Sequence, residues 1–460
     1  MRDLVIIGTN QIVKHFKYEA QYKPESTYWG LGIEEEVYLE FDKKKQVSEK
    51  EFFENHKNER YSIDYYSNYK KTILPEAFEE MIRLMGSNVL FIPILLNSHS
   101  FTKTDRFNNQ KTLYTKKCEP NIKFEGKTLI EYLAERDSYF NQENPAWIFD
   151  GDTIEFISVN FFNSSLTDIM DEVELNKKIF ITKLNKQFEQ NKIFESNGKI
   201  KIMEQNYPFA KYLTNLNNIG MFNNGTIHLN ITLPTKLDSN SKIKNKEKFI
   251  KKHKNAIKII QWLEPLIIGV YGSPDPFATL SGYKDKNKFS NCSQRNVISR
   301  YISLGTFNTD LMESGKILTK PIDSLVMNKL DFWWYKRINE TCAYTKLDKI
   351  GLDINFNKHW NHGIEIRFLD YISDKNLVQE CFEFIIYLID LSLENDNKEL
   401  SNPIINEAWN NLVYMIIIHG INYNLNKNDK KIYEVIFSIK IKSTNIVDVY
   451  YEIFKYLKKR

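Results

Sequence analysis

Charged and polar residues alternate with apolar ones in three short runs far apart in the chain: Ile33-Glu34-Glu35-Glu36-Val37, Thr226-Ile227-His228-Leu229-Asn230 and Gly363-Ile364-Glu365-Ile366-Arg367. Side chains of a strand point to its two faces in turn. Ile33, Val37, Leu39 and Phe41 are therefore expected on a core, with Glu34 and Glu36 on the opposite side. By the same spacing Ile227, Leu229 and Ile231 pack while His228 and Asn230 face away, and Ile364, Ile366 and Phe368 pack while Glu365 and Arg367 project. Several carboxylates and an imidazole suit Mg2+ or Mn2+, which in turn bridge the oxygens of a nucleoside triphosphate. A guanidinium beside a metal-binding carboxylate adds a bidentate grip on phosphate.

Taken singly, each run has an ordinary explanation. A Glu-Glu-Glu run is most often a solvated face, and Glu alternating with Arg is usually a cross-strand ion pair. A lone histidine such as His228 is more often hydrogen-bonded structure than ligand. The coincidence of three strand-patterned runs with complementary polar faces is what points to one site.

The same residues carry a resemblance. Trp29-Gly30-Leu31-Gly32-Ile33-Glu34-Glu35-Glu36 resembles the opening metal-binding strand of the glutamate–cysteine ligases, Ile227-His228-Leu229-Asn230 their Ile-His-x-Asn strand, and Ile364-Glu365-Ile366-Arg367-Phe368-Leu369-Asp370 their Ile-Glu-Val-Arg-x-Leu-Asp strand, in the family's order. Glu155-Phe156-Ile157-Ser158 is similar to a Glu-Phe-Ile-Thr strand. Tyr271-Gly272-Ser273-Pro274 followed by Arg300-Tyr301-Ile302-Ser303-Leu304-Gly305 is similar to a Gly-x-Ser-Pro turn and a later Arg-x-x-x-Leu-Gly. The resemblance spans roughly residues 28 to 372 and implies an α+β, glutamine-synthetase-like catalytic fold, a funnel of curved antiparallel sheet flanked by helices. It implies Glu34, Glu36, Glu155, His228 and Glu365 as metal ligands, Arg300 and Arg367 on the phosphates of ATP, and Asn230 near the amino-acid substrate. The implied activity is an ATP- and Mg2+-dependent (or Mn2+-dependent) ligation of glutamate to cysteine through an acyl phosphate. Ligation of glutamate or another carboxylate to a different amine, a guanidino kinase and an inactive binding or regulatory relative remain open beside it.

These residues need elements to hold them. Residues 1–372 are expected to form the catalytic region, interrupted by an insertion at about 43–146 that is rich in Lys, Asn and Tyr; residues 43–72 show no sustained period and suggest an exposed lobe. Helices are predicted from near Pro75 to Gly86 and over 127–140 and 165–193. The Lys-, Asn- and Ser-rich stretch from Lys236 to Lys248 reads as a solvent-facing loop. After it Phe249, Ala256, Ile260, Leu263 and Ile267 recur at helical spacing, with a bend expected at Pro265. Beyond Asp370, amphipathic helices over 375–394, 403–422 and 444–458 are predicted to form a 373–460 extension that buttresses the sheet, with His419 a core histidine.

Bulk properties exclude several classes. The chain of 460 residues is 42% hydrophobic and 14% aromatic, enough for a sizeable core rather than disorder. A net charge of +4 is too mild to argue for nucleic acid. Cys118, Cys292, Cys342 and Cys381 show no paired metal or redox spacing. The apolar start Leu4-Val5-Ile6-Ile7 is too short for a secretory signal, and Leu412 to Ile418 falls far short of a bilayer, so a cytoplasmic protein with no membrane partner is expected. Neither a Gly-x-Gly-x-x-Gly nor a Walker-type loop is present, so phosphate binding would rest on metals and arginines.

Overall fold

The alternation of the site runs does produce neighbouring strands. The computed structural model describes residues 27–42, 47–48, 89–90, 96, 100–101, 127–141, 144–150, 153–158, 165–193, 198–203, 225–236, 238–239, 242–272, 306–316, 353–356, 363–394 and 400–460. Its largest sheet contains β1 (Thr27–Val37), β2 (Trp147–Asp150), β3 (Thr153–Ile157), β4 (Thr226–Lys236), β5 (Ile354–Phe356) and β6 (Ile364–Asp370) in the order β5-β6-β4-β1-β3-β2. Every neighbouring pair is antiparallel. With its helices the chain is an α+β protein.

One face of this sheet is apolar and covered by helices. Leu31, Ile33 and Val37 of β1, Ile227, Leu229 and Ile231 of β4, Ile366 and Leu369 of β6 and Ile154 and Phe156 of β3 are all buried in one core. After α1 (Leu129–Ala134), helix α2 (Leu166–Gln190) lies against β1 and β3, and α3 (Lys246–Tyr271) lies against β4 and β6. Outside α3 pack α4 (Lys375–Glu394), α5 (Glu407–His419) and α7 (Ile446–Lys458), with α6 (Lys427–Phe437) against α5. Helix α3 is thus enclosed by sheet on one side and helices on the other, and is buried nearly all round from Ala256 to Ile268.

A proline inside so buried a helix has a structural cost that the fold offsets. Pro265 has no N–H, so the carbonyl of Gln261 loses its intrahelical donor. The indole Nε1–H of Trp409 donates to that carbonyl at 2.9 Å, pinning α5 to α3 at the break. The helix continues through Pro265 to Tyr271.

Pro234 has a parallel effect in β4. A proline in a central strand is confined to bulges, and here Leu233 and Pro234 stand opposite the single residue between Tyr28 and Gly30, whose partners are Thr235 and Thr232. The Leu233 N–H donates to His253 Nε2 at 3.1 Å, while His253 Nδ1–H reaches the Phe249 carbonyl one turn back at 2.7 Å. The approach is close on the other side too. A Cβ on Gly363 would lie 2.3 Å from the Ile231 carbonyl oxygen and 2.6 Å from His253 Nε2, so β6 must be entered through glycine.

Several predicted elements shift. Residues 127–140 form not one helix but a strand pair of Lys127–Thr128 with Ser100–Phe101, then α1 under a Thr128–Glu131 capping box, then a 3-10 turn at Ser138–Phe140. The extended run from β1 breaks at Tyr38, and Leu39–Phe41 leaves the sheet to pair with Ile200–Ile202. The loop after Lys236 ends at Asn245, whose side chain caps α3 by accepting from the Lys248 N–H. The predicted 403–422 helix is divided into Pro403–Ile405, α5 and Gly420–Asn422, because Gly420 adopts a positive φ of 52° and stops α5. His419 is only half-buried there, stacked on Tyr423 with ring centroids 5.8 Å apart, rather than in the core. Helix α6 was not predicted, although its Asn426–Asp429 capping box is a readable signal. The Pro75–Gly86 helix and most of the 43–146 insertion lie outside the described residues. Among the described residues no helix is long and apolar enough to cross a membrane.

The His253 bridge yields a pH prediction. Burial lowers its imidazole from 6.5 to about 4, against the opposing effect of its bond to Phe249 and with a smaller contribution from Lys252. The unfolded chain then binds a proton that the folded chain refuses, so this contribution is complete above about pH 6.5 and is lost as pH falls toward 4. At full shift it is on the order of 3 kcal/mol. Urea unfolding of the parent and His253→Gln between pH 7.5 and 4.5 should show a smaller loss of stability with acid in the variant; equal slopes would refute the assignment.

Candidate metal and phosphate site

Register brings the predicted residues together on the face opposite α2 and α3. Glu34 stands opposite His228, Gly32 opposite Asn230 and Glu36 opposite both Thr226 and Glu155. Across the next ladder Asn230 faces Glu365, which in turn faces Asn355 of β5. Residues directly opposed in an antiparallel pair share a face. Glu34, Glu36, Glu155, His228, Asn230 and Glu365 therefore project together from four adjacent strands, and the Arg367 guanidinium reaches Glu365 among them.

The centre of the group is a triad. Glu34, His228 and Glu365 each offer one ligand atom, and the three atoms lie within 4.8 Å of one another. His228 Nδ1 is 3.3 Å from Glu34 Oε2 and 3.6 Å from Glu365 Oε1, and its Nε2 is 3.9 Å from Glu36 Oε1. His228 Nε2 also lies 3.0 Å from the Thr226 hydroxyl. In the tautomer with Nε2–H donating to Thr226, the Nδ1 lone pair faces the two glutamates, as a metal ligand requires. Burial and then the Arg367 charge lower the His228 pKa, against the opposing pull of Glu34, Glu36 and Glu365, which favours the neutral, ligating form. Glu36 is buried and Glu155 half-buried beside it, so a second pair of carboxylates adjoins the triad.

Other groups orient these carboxylates. Asn230 Nδ2 donates to Glu34 Oε1 at 3.1 Å, and Asn355 Nδ2 to Glu365 Oε2 at 2.7 Å. Arg367 Nη1 donates to Glu365 Oε1 at 2.5 Å. Burial alone would favour a neutral guanidine, but Glu365, Glu36 and Glu34 outweigh it and hold the Arg367 pKa above its ordinary value. Arg367 is thus a permanent cation set among the carboxylates. Asn230 contacts the Glu34 carboxylate directly, and Arg300 lies outside the described residues.

Two features of this site escaped the sequence. The ladder of β6 on β4 slips at Arg367 and Phe368, which together stand opposite His228 between the pairs Leu229↔Ile366 and Ile227↔Leu369. Beyond that bulge Leu369 takes the apolar face, and Asp370, paired with Thr226, joins the polar one; strict alternation would have placed them the other way round. The second feature is Glu35, the middle glutamate of the run. It points to the helix side, where its carboxylate meets Lys177 Nζ of α2 at 2.7 Å, and Lys177 also binds Glu174. Burial raises the Glu35 pKa, with Lys177 offsetting part of the effect. A lysine on the buried stripe of α2 is the signal that could have announced this pair.

The donor set is oxygen-rich with a single neutral imidazole, which fits Mg2+ or Mn2+ better than a thiolate-seeking ion. Two carboxylates directly opposed, as Glu36 and Glu155 are, further suit a divalent cation. The chain is 38% identical over 406 residues to the uncharacterized protein R704 of Acanthamoeba polyphaga mimivirus, a match covering 88% of this chain and 69% of the relative. No family model matches.

Mn2+ binding, followed by electron paramagnetic resonance on purified protein, tests the triad. Glu365→Gln should abolish measurable high-affinity binding, and Thr226→Val, which removes only the oxygen facing His228 Nε2, should weaken it about tenfold. Far-ultraviolet circular dichroism should be unchanged in both. Parent-like Mn2+ affinity in Glu365→Gln would remove this residue from the ligand set.

Proposed function

This chain belongs to the family of the mimivirus protein R704, and within that family we propose that it is an ATP- and Mg2+-dependent carboxylate–amine ligase of the glutamate–cysteine ligase type. The observation that carries this reading is the convergence of Glu34, His228 and Glu365 within 4.8 Å, with Arg367 bound to Glu365 on the same face. The order of the site strands in the chain and the six-stranded antiparallel sheet are consistent with a glutamine-synthetase-like fold.

Glu34, His228 and Glu365 would hold one divalent ion and Glu36 and Glu155 adjoin a second position, where bound cations would align and partly neutralise the phosphates of ATP. In the first reaction step a carboxylate oxygen of the donor, the γ-carboxylate of glutamate, bonds to the γ-phosphorus of ATP as the bond to the bridging oxygen breaks, giving an acyl phosphate and ADP. Arg367 supports that step by presenting its fixed fork of N–H donors to phosphate oxygens that gain charge. In the second step the neutral amine of cysteine bonds to the acyl carbon, the bond from that carbon to the phosphate oxygen breaks, and the nitrogen gives up one proton as inorganic phosphate leaves, forming the amide. Asn230, which donates to Glu34 Oε1, would meet the donor amino acid, the role the family resemblance implies. The β1–β4–β6 ladder would position these groups for reaction, and positioning is the chief contribution a protein makes to phosphoryl transfer.

The test is ADP release by the purified protein with Mg2+ and ATP, across a panel of carboxylates and amines, with mass spectrometry of the product. Glutamate with cysteine should release ADP and give a γ-glutamyl amide, and excess chelator should stop it. Release driven by another carboxylate or amine would change the substrates but keep the class. Phosphorylation of a guanidinium compound with no amide formed would replace the ligase with a kinase.

The same assay separates phosphate binding from structure at Arg367. Lysine keeps the charge but loses the fork, so Arg367→Lys should lower turnover at least tenfold, a barrier increase of about 1.4 kcal/mol, with the melting temperature nearly unchanged. Near-normal turnover would leave Arg367 as an ion-pair partner of Glu365 and no more.

A further inference from the structure

Arg367 stands in the bulge of β6, where pairing to β4 on one side is interrupted, so its placement depends on the strand on its other side. That strand is β5, an edge strand of three residues paired with β6 only from Ile354 to Phe356. Short edge strands are weakly held by their own ladder. The residue that extends this ladder to Arg367 is Asp353, just before β5: its backbone carbonyl accepts the Arg367 N–H at 2.8 Å. Two residues on, Asn355 holds the Glu365 carboxylate. The edge strand thus contacts both of the functional residues contributed by β6.

The Asp353 side chain anchors the start of this strand. It is buried, and Oδ1 accepts the backbone N–H of Phe307 at 2.9 Å. Phe307 belongs to the hairpin of Thr306–Asn308 with Glu313–Lys316, and its own carbonyl accepts Gln261 Nε2 of α3 at 2.8 Å. A continuous series of short hydrogen bonds therefore joins the central helix to the backbone of Arg367, through Gln261, Phe307 and Asp353.

We infer that Asp353 is a positioning residue that sets the Arg367 guanidinium toward phosphate by tying the edge strand to the Thr306–Lys316 hairpin. The phosphate part rests on the ligase reading above, and the orientation of Arg367 does not. Removing the Oδ1 acceptor loosens the start of the edge strand, where the Asp353 carbonyl accepts the Arg367 N–H.

A double-mutant cycle tests it with two readouts. The first is calorimetric binding of the Mg2+ complex of the β,γ-imido analogue of ATP. The second is the Arg367 Nε–H resonance in 15N-arginine-labelled protein, identified by its absence in Arg367→Lys. Asp353→Ala should weaken binding at least fivefold and shift that resonance. Asp353→Asn, which keeps an oxygen for the Phe307 N–H, should bind within twofold of the parent and restore the resonance. In the Arg367→Lys background Asp353→Ala should add no further loss, since it acts through the arginine. If Asp353→Ala does not fold, Asp353→Ser, whose hydroxyl is too short to reach Phe307, takes its place. Additive losses in the two backgrounds, an unmoved resonance, or an asparagine variant no better than alanine would each overturn the inference. A parent protein that binds no nucleotide would refute the ligase reading, and the resonance would then decide the positioning role by itself.

Discussion

The ladder between β1 and β4 is the constraint on which the site depends. It places Glu34 against His228 and Glu36 against Thr226, and through β6 it sets Asn230 against Glu365. Because side chains alternate with period two, a slip of one residue would send the glutamates into the helix-covered core and Ile33 and Ile227 out to the polar side. The cost of burying those carboxylates against Leu and Ile far exceeds that of any local strain. Core packing and the polar cluster therefore enforce the same register from opposite faces.

That agreement explains the treatment of the three consecutive glutamates. Glu34 and Glu36 fall on the polar face, and Glu35 necessarily falls on the other. The fold accommodates it with Lys177, which extends from α2 beneath β1 and makes a buried pair at 2.7 Å. Such a pair adds little net stability over apolar residues of similar size, but loss of either partner leaves an uncompensated buried charge. It also links α2 to β1 at the residue between the two site glutamates.

The helical layer works by the same means. Two prolines break ladders at Gln261 and near Leu233, and in each case a ring N–H or ring nitrogen takes the released backbone group, Trp409 for the first and His253 for the second. These bonds connect α5 to α3 and α3 to β4. Positions that would weaken an isolated helix or strand have become points of attachment, and the support reaching Arg367 through Gln261, Phe307 and Asp353 begins on that same central helix.

Alternation in the three runs determined that they would be strands with Glu34, Glu36, His228, Asn230, Glu365 and Arg367 off the core, because side-chain direction along a strand is local backbone geometry. Helix α4 was equally legible, its ends matching the predicted 375–394, since its apolar period is unbroken. The Asn residues that cap α3, α5 and α7 were visible as composition but not as caps, because capping depends on where a helix starts, whereas α6 carries a capping box that its sequence shows. Only the tertiary structure decided which strands are neighbours. Glu34 and His228 are 194 residues apart, and nothing local links them. It also decided the bulge that turns Asp370 toward the site, the pairing of Glu35 with Lys177, and the contact of Thr226 with His228 Nε2. The bulge and the Glu35–Lys177 pair follow from register and packing between distant segments, where the free energy belongs to the assembled sheet and to no single run of residues; the Thr226–His228 contact is local, two residues apart on one strand, and the structure decided only the ring orientation.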